Sequence, residues 1–566
     1  MSKSIVLLTF FITPFFSKSQ GPYHDWSYGI ETGYTWGTTV CTDENNNIYT
    51  VAKFKDSLIL VSQQNTDTVI SNNAFSTIIQ KYNPNGSLLW TKSIISTSQV
   101  ICNSMDIDIF GDLIFCGTYF GSTDFDPSIN EAIESANYSE IFVLKLTSSG
   151  EFVWVRTMKN ISGFVDGRAN SVVIDDNSDI VLTGEFSGTV DFDPGTSSEL
   201  KTSMSSTDIF IQKLNSQGDL IWVKILSGDS ADDGNAITTD GSNYWITGRF
   251  HGTVDFDPDS SVVEYSDNSS YGDVFVLKLN QNGQFEWVNC FGGGHTDYGD
   301  DIVVDSMGNV YTLGRFRWSV DFDPSTNSSI QSSVGYMNCF VQKVDSLGNF
   351  IWVKTIKAGN GASGSNYNIS KSIELDNEYN ILISGHYYGV IDYNPDSLFN
   401  GDTAIGLSDI FIEKLDTDGN FIWGASLGGS NTDDSEALAI DSDGNILLSG
   451  FFDGQADFDP STDTFLLQNY TNRSMFIAKY TEGYLGNISH KINSFIKVFP
   501  NPFNNTQKIS ISNKQKSYVE ISLHDISGKL VLNVYEGFLP VGNYEYIVDL
   551  AGLRSGIYLY YILSLI

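Results

Sequence analysis

An all-β fold, built from four-stranded modules arrayed in a closed ring, is predicted by three observations. First, the tetrapeptide Asp-Phe-Asp-Pro recurs at 124–127, 191–194, 255–258, 321–324 and 457–460, with Asp392-Tyr393-Asn394-Pro395 in the remaining slot. Successive starts lie 67, 64, 66, 71 and 65 residues apart, and self-similarity at such a period marks an array of one supersecondary unit. Second, a lysine and a tryptophan recur nine residues apart, as Lys81/Trp90, Lys145/Trp154, Lys213/Trp222, Lys278/Trp287, Lys343/Trp352 and Lys414/Trp423. Third, a seventh lysine, Lys479, lacks its tryptophan, while Trp26 stands 64 residues before Trp90 without the strands that should precede it.

Each period holds four strand-like runs, clearest between 170 and 226: Asn170–Ile174, Ile180–Phe186, Asp208–Leu214 and Leu220–Ile225. They are rich in β-branched, aromatic and other apolar residues and are punctuated by Gly, Asn and Asp. The tetrapeptide falls in the long connection between the second and third runs. A glycine follows each repeated lysine by five residues (Gly86, Gly150, Gly218, Gly283, Gly348, Gly419). A two-residue hairpin turn ending on it makes lysine and tryptophan cross-strand partners. The lysine stem is then expected to lie on the indole, worth about 0.5–1 kcal/mol. The N-terminal strand around Trp26 supplies what the last period lacks, and that exchange seals the edges of the last module. The prediction is a seven-bladed β-propeller over residues 20–484, closed by its N-terminal strand.

A chain of 566 residues with 41% apolar residues is a folding chain too long for one ordinary core. Its net charge of −37 argues against binding nucleic acid or an anionic membrane surface. Residues 1–19 read as a signal peptide, Lys3 followed by an apolar run from Ile5 to Phe16 and Ser17-Lys18-Ser19, too short to span a bilayer. No transmembrane segment is expected after its removal. Cys41, Cys102, Cys116, Cys290 and Cys339 form no C-x-x-C pair and no disulfide framework.

The repeats, as at 436–452 (EALAIDSDGNILLSGFF) and 408–423 (SDIFIEKLDTDGNFIW), resemble the bacterial SBBP beta-propeller repeat family. That resemblance implies a fold and little chemistry. Beyond a linker at 485–496 the pattern changes: Val498-Phe499-Pro500-Asn501-Pro502-Phe503, then VEISLHDISGKLV from Val519, Gly542-Asn543-Tyr544 and Ser555-Gly556-Ile557-Tyr558. Short alternating strands predict a small β-sandwich over 497–566. The order of motifs resembles the type A C-terminal sorting domain (Por secretion tail) of the type IX secretion system of Bacteroidota. The resemblance implies export through that machinery and a secreted or cell-surface protein. The family continues beyond the Gly-Ile-Tyr strand into a basic strand, so the domain is expected to be truncated at Ile566.

Two acidic sets are expected to share one face. One comprises the candidate Ca²⁺ ligands Asp124 and Asp126, Asp191 and Asp193, Asp255 and Asp257, Asp321 and Asp323, and Asp457 and Asp459, with Asp392 alone in its period. Alternation points both carboxylates one way, and two aspartates offer up to four of the six to eight oxygens calcium takes. The competing reading is that Phe packs inward while Asp caps backbone N–H groups in the turn. The second set is Asp232/Asp233, Asp297/Asp300/Asp301 and Asp433/Asp434. The aspartates ending the first strands (Asp43, Asp108, Asp175, Asp240, Asp305, Asp376, Asp441) are expected to pair with the repeated lysines. Asp416–Asn420 and Asp441–Asn445 resemble the start of a calcium loop but read as hairpin turns. Neither H-E-x-x-H, G-x-S-x-G nor a phosphate-binding loop occurs, and no catalytic residue is assigned. The expected function is an exported binding or adhesion module for an extracellular glycan or protein. Its rivals are a polysaccharide hydrolase or lyase and a structural surface-layer component.

Overall fold

The computed structural model describes residues 21–482 except 31–32, 62–65, 72–73, 163–165, 260, 268–270, 360–365, 396–399 and 470–472. It also describes residues 494–565 except 500–505, 514–516, 526–528 and 551–557. The expected signal peptide and most of the expected linker lie outside the described residues. Two compact units divide the chain, the larger spanning Ser19–Glu482. Strands, turns and bends make up the described residues, with no helix among them.

The larger unit repeats one ladder. In its third copy Gly167–Ile174 pairs with Ile180–Phe186, which pairs with Asp208–Leu214, which pairs with Leu220–Gly228, all antiparallel. The third strand, flanked on both sides, is buried throughout, its polar Asp208, Gln212 and Lys213 included, whereas the fourth alternates in burial as an outer strand should. We number the four-strand sets by their first strands: Tyr34–Thr42, Gln99–Ile107, Gly167–Ile174, Asp233–Thr239, Tyr298–Val304, Tyr367–Leu375 and Asp433–Ile440. The seventh set is completed by Tyr23–Gly29, which pairs with Ser474–Thr481 and puts Trp26 opposite Lys479. Lys213 opposite Trp222 is the same register within one copy.

Each first strand packs beside the next, and the seventh packs against the first. Polar contacts mark that junction. Trp36 donates to Glu436 at 3.1 Å, the Met475 amide donates to Thr35 Oγ1 at 2.7 Å, and Asn46 donates to Asp443 at 2.9 Å. Adjacent sets are also joined through their outer strands. The short strand Thr189–Asp191 pairs with Phe152–Ser162 of the preceding set, and Thr253–Asp255, Ile391–Asp392 and Gln455–Asp457 repeat the arrangement.

Two expectations about the hairpins are corrected. The turn is a three-residue loop, not two: Gly86 donates to the Asn83 carbonyl, Asn83 and Ser87 pair, and Gly86 has φ +79°. A type I turn followed by a left-handed glycine gives this loop, and the Asn83 side chain accepts from the amides of Asn85 and Ser87. A register shift between Lys81 and Tyr82 then cancels the extra residue, so Lys81 still faces Trp90. The lysine ammonium is not matched to its partner's indole either. Nζ of Lys81 lies 4.6 Å from the Tyr49 ring and that of Lys343 4.8 Å from Tyr311, rings of the adjacent second strand. A buried ammonium needs oxygen partners, and these lie on that side. Lys213 contacts Asp175 at 2.8 Å and Asp179 at 3.0 Å; Lys145, Lys414 and Lys479 each reach the first-strand aspartate at 2.8 Å. Asp43 is 3.6 Å from Lys81. Asp240 and Asp305 depart from the pattern, binding Asn243 and Asn309, while Lys278 and Lys343 donate to the carbonyls of Ser346 and Thr417 in the next set. Lys479 likewise donates to the Pro84 carbonyl, from the seventh set to the first.

All five cysteines are free and buried or half-buried. The C-terminal unit has two three-stranded sheets. Thr506–Asn513 lies between Ser494–Phe499 and Gly542–Asp549, and Ser517–Asp525 lies between Leu530–Leu539 and Tyr558–Leu565. Ile509 and Val548 of one sheet and Ile521, Leu523 and Leu539 of the other share one apolar cluster.

Candidate functional site

The repeated aspartates are engaged by their own loops. Asp191 Oδ1 accepts the amides of Asp193 at 3.1 Å and Glu199 at 2.8 Å, and Oδ2 accepts Ser198 Oγ at 2.7 Å. Asp193 Oδ1 accepts the Gly195 amide at 2.7 Å. The same double clasp is made by Asp124 to Asp126 and Ala132, Asp255 to Asp257 and Val263, Asp321 to Asp323 and Ser329, Asp392 to Asn394 and Asn400, and Asp457 to Asp459 and Phe465. Asp126, Asp257, Asp323 and Asp459 each accept the amide two residues on. Between the paired aspartates Phe125, Phe192, Phe256, Phe322 and Phe458 are fully buried. This is the capping arrangement. Among the described residues no group of three or more His, Cys, Asp or Glu side chains is placed to hold a metal ion.

The acids between successive sets divide by depth. Asp232, Asp297 and Asp433 are fully buried and accept backbone amides: His251 on Asp232, Gly293 and Arg317 on Asp297, Gly429 and Asp453 on Asp433. Burial pushes their carboxyls up to about 7, about 7 and about 8. Asp233 and Asp300, by contrast, line a cavity of about 350 Å³.

That cavity forms where the repeat stops being regular. Every first strand carries a one-residue bulge in the same slot, so Thr38, Asn103, Asn170, Asn235, Asp300, Lys371 and Glu436 are each extra to their ladders. A bulge leaves its residue unpaired and re-aims the side chain. These side chains link neighbouring sets: Asn103 donates to the Ala169 carbonyl, Asn170 to that of Gly234, Asn235 to that of Gly299, and Lys371 to Glu436. Asp300 accepts Ser370 Oγ at 2.6 Å. Beside the bulges lie cross-strand pairs that differ in every set, Trp36/Lys53, Ile101/Thr118, Arg168/Glu185, Asp233/Arg249, Tyr298/Arg315, Ile369/His386 and Asp434/Phe451.

Sets three to six supply the cavity wall: Arg168, Asn170, Glu185, Asp233, Asn235, Tyr298, Asp300, Arg315, Ser370 and Lys371. Its charges are interleaved. Arg168 lies 3.6 Å from Glu185, Arg249 2.5 Å from Asp233, and Arg315 3.4 Å from Asp300. The Tyr298 ring contacts two guanidinium groups, Arg315 at 4.3 Å and Arg249 at 5.1 Å. Burial pushes Glu185 up to about 7 against the pull of Arg168. Polar groups converging on a concave wall can orient a polar ligand through several hydrogen bonds at once.

Just beyond the second strands lies a slot with left-handed backbone, held by glycine in five sets, by Asp56 at φ +71° in set one and by Trp318 in set five. The slot three residues before the first motif aspartate holds Gly121, Gly188, Gly252, Gly389 and Gly454, all at φ between +72° and +85°. In set five it holds Trp318, at φ +67°. Its backbone does what the glycines do, donating to Ser333 Oγ and accepting the Ser333 amide, both at 2.7 Å. An L-residue there costs roughly 1–2 kcal/mol. Space has been made for it. A Cβ at Gly252 would lie 1.9 Å from Asp229 Oδ1, whereas the position equivalent to Asp229 in set five is Gly294, whose own Cβ site is open. The indole is 58% exposed and meets the His295 ring at 4.0 Å. His295 in turn stacks on the exposed Tyr271 at 5.1 Å, and Arg317 lies 4.0 Å from the ring of the exposed Tyr336.

Of these residues, sequence reasoning named Asp233 and Asp300 and missed the rest. The bulges leave the apolar pattern intact and give no signal. Trp318 was findable, because Phe316-Arg317-Trp318-Ser319 stands where Phe250-His251-Gly252-Thr253 stands one period earlier.

Comparison with known proteins bears mainly on the C-terminal unit. Residues 497–564 match the family model described as the secretion system C-terminal sorting domain (Por_Secre_tail). Residues 497–564 are a C-terminal sorting domain. Such domains mark proteins that the type IX system delivers to the cell surface or the extracellular space, and this chain is a secreted or cell-surface protein whose tail implies contact with that machinery. The chain is also 25% identical to an uncharacterized WD repeat-containing protein of Acanthamoeba polyphaga mimivirus, over 74% of its own length and 35% of that protein's. It thus spans about a third of the relative it matches. A structure of a protein of unknown function from Bacteroides caccae aligns with 62% of this chain and 89% of that one, at 10% identity and a TM-score of 0.30.

Proposed function

We propose that residues 20–484 form a seven-bladed β-propeller, closed by the strand around Trp26, which acts outside the cell as a binding module. The closure reading is supported by the pairing of Tyr23–Gly29 with Ser474–Thr481 and by the packing of the seventh first strand against the first. The resemblance to a WD repeat-containing protein points the same way. The ligand site is the polar cavity of sets three to six. One observation carries this assignment. The amide clasps of the motif loops repeat from set to set, whereas the pairs beside the bulges differ in every set, and the cavity opens where those pairs are charged, at Arg168/Glu185, Asp233/Arg249 and Tyr298/Arg315. Structural demands are the same in every module, so residues that differ at one slot answer to something else. In this reading the sorting domain brings the module to the surface and takes no part in recognition.

The test is an array of extracellular glycans and matrix proteins probed with the secreted chain and with Asn235→Leu and Arg168→Ala. Specific binding to one class, reduced at least tenfold by either change with the melting temperature kept, is expected. Binding that neither change affects removes the cavity from the proposal.

A second reading, a hydrolase or lyase of polysaccharide, is favoured by Glu185, a carboxyl in the cavity wall that burial pushes up to about 7, in the range a general acid uses. Release of reducing ends or unsaturated products that stops in Glu185→Gln would establish it.

A further inference from the structure

We propose that the rim carrying Trp318 is a stacking subsite for an anionic polysaccharide, with Trp318 as its platform and Arg317 as its contact to carboxylate or sulfate. This rests on the cavity being a ligand site and adds to it the class of ligand and the residues that grip it.

The argument starts from placement. From Arg315 in the cavity wall the chain runs to Arg317 and Trp318, and from Tyr298 in the wall it runs back to His295. The rim thus continues directly from the ends of two strands that line the cavity, Tyr298–Val304 and Val310–Phe316, and carries the exposed rings Tyr271, Trp318 and Tyr336. Trp318 occupies a position where five other modules use glycine, and it does so with unfavourable φ and with its side chain in solvent. Packing cannot account for a tryptophan that buries little, and backbone geometry would prefer glycine. Where set four has Asp229, whose carboxylate would meet a Cβ at Gly252, set five has Gly294, which has no side chain to obstruct one. A large rigid ring kept exposed at a conformational cost is suited to an occupant that covers it. Aromatic faces lie against the C–H faces of pyranose rings, and a row of them suits a chain of sugars better than a single small molecule.

Charge selects within that class. The chain carries seven arginines against a net charge of −37, and four of the seven, Arg168, Arg249, Arg315 and Arg317, gather at this cavity and rim. Arg168, Arg249 and Arg315 have carboxylate partners. Arg317 has no carboxylate within 4 Å among the described residues, and its buried Nε makes no hydrogen bond there. Its guanidinium lies over Tyr336 instead. A guanidinium held flat on a ring keeps its donor edge for a planar anion. In so acidic a protein, a guanidinium without a carboxylate neighbour offers an anion a local attraction that the remaining surface lacks.

Affinity electrophoresis of the secreted chain in gels containing polygalacturonate, dextran sulfate or laminarin tests this. Retardation is expected in polygalacturonate or dextran sulfate and not in the neutral laminarin, and whichever gel retards it names the anion. Trp318→Gly, which restores the residue of the other modules, is expected to weaken retardation about tenfold and to melt no lower than wild type. Arg317→Gln is expected to weaken it similarly and to remove its salt dependence. The proposal is overturned by no retardation in either anionic gel, by equal retardation in laminarin, or by undiminished retardation of Trp318→Gly. If Trp318→Gly binds normally while Asn235→Leu does not, the cavity stands and the rim falls. If the array finds only a protein ligand, the rim proposal alone is lost.

Discussion

Single residues carry most of the electrostatic design. Lys213 and Asp175 are both buried, 5% and 0% exposed at the side chain, and form one of the tightest pairs in the array. Burial alone would raise the Asp175 carboxyl, yet the hydrogen bonds from Lys213 and Tyr244 bring it below its ordinary value. Removing one member of such a pair strands the other, at a cost of about 3–5 kcal/mol. Lys213→Ala should therefore lower the unfolding midpoint in urea strongly, while adding Asp175→Asn should restore part of the loss; a double variant as unstable as the sum would refute the coupling. Asp232, Asp297 and Asp433 behave oppositely. With folded values raised from 3.8 to about 7, 7 and 8, the native state binds more protons than the unfolded chain between those limits. Stability then falls as pH rises from about 4 to about 8. Melting temperature should be higher at pH 5 than at pH 8, and Asp297→Asn should flatten the slope. A melting temperature that climbs over that interval would count against these buried acids.

At the scale of elements, the motif loop is a latch. It places a short strand against the outer strand of the preceding set, ties its own turn with one aspartate, and drives a phenylalanine into the core between them. Asp191→Ala leaves two amides without a charged acceptor and should cost about 1–3 kcal/mol, read as a shift in the urea midpoint. A loop tied by its own amides needs no ion, so EDTA and added Ca²⁺ should leave the wild-type melt unchanged. A rise with Ca²⁺ that Asp191→Asn/Asp193→Asn abolishes would establish the calcium reading instead. Strand order and cross-strand partners were legible in the sequence, because the lysine–tryptophan spacing encodes them. The turn was not: a three-residue loop with a later bulge and a two-residue loop without one give identical spacing. The aspartate partners of the lysines were legible too, but not the ring each ammonium lies beside, since register specifies which residue lies opposite and not the direction in which a long side chain leans. The cavity was least legible. Its bulges insert one residue in every module alike, so nothing in the period betrays them, and only the charges they carry differ.

At the scale of the whole repeat unit, stability depends on one pairing across the length of the chain. Trp26 faces Lys479, and the Tyr23–Gly29 strand covers the outer edge of Ser474–Thr481. Deleting residues 21–29 bares that edge to other chains. The deleted protein should form oligomers by light scattering and lose protection from amide exchange first in Ser474–Thr481; a monomer with unchanged exchange would contradict the closure. The array was foreseeable from a missing tryptophan at one end and a surplus one at the other, an argument from arithmetic that needs no knowledge of packing.

That joint also imposes a timetable. The strand synthesised earliest has its partner about 450 positions downstream, and contacts so distant in sequence form slowly. The middle modules can assemble as they emerge, while the leading strand must remain unpaired until the trailing one arrives. During that wait the half-built array offers two adhesive margins instead of none, so a companion that shields extended segments in transit would matter more for this chain than for one whose modules are each complete.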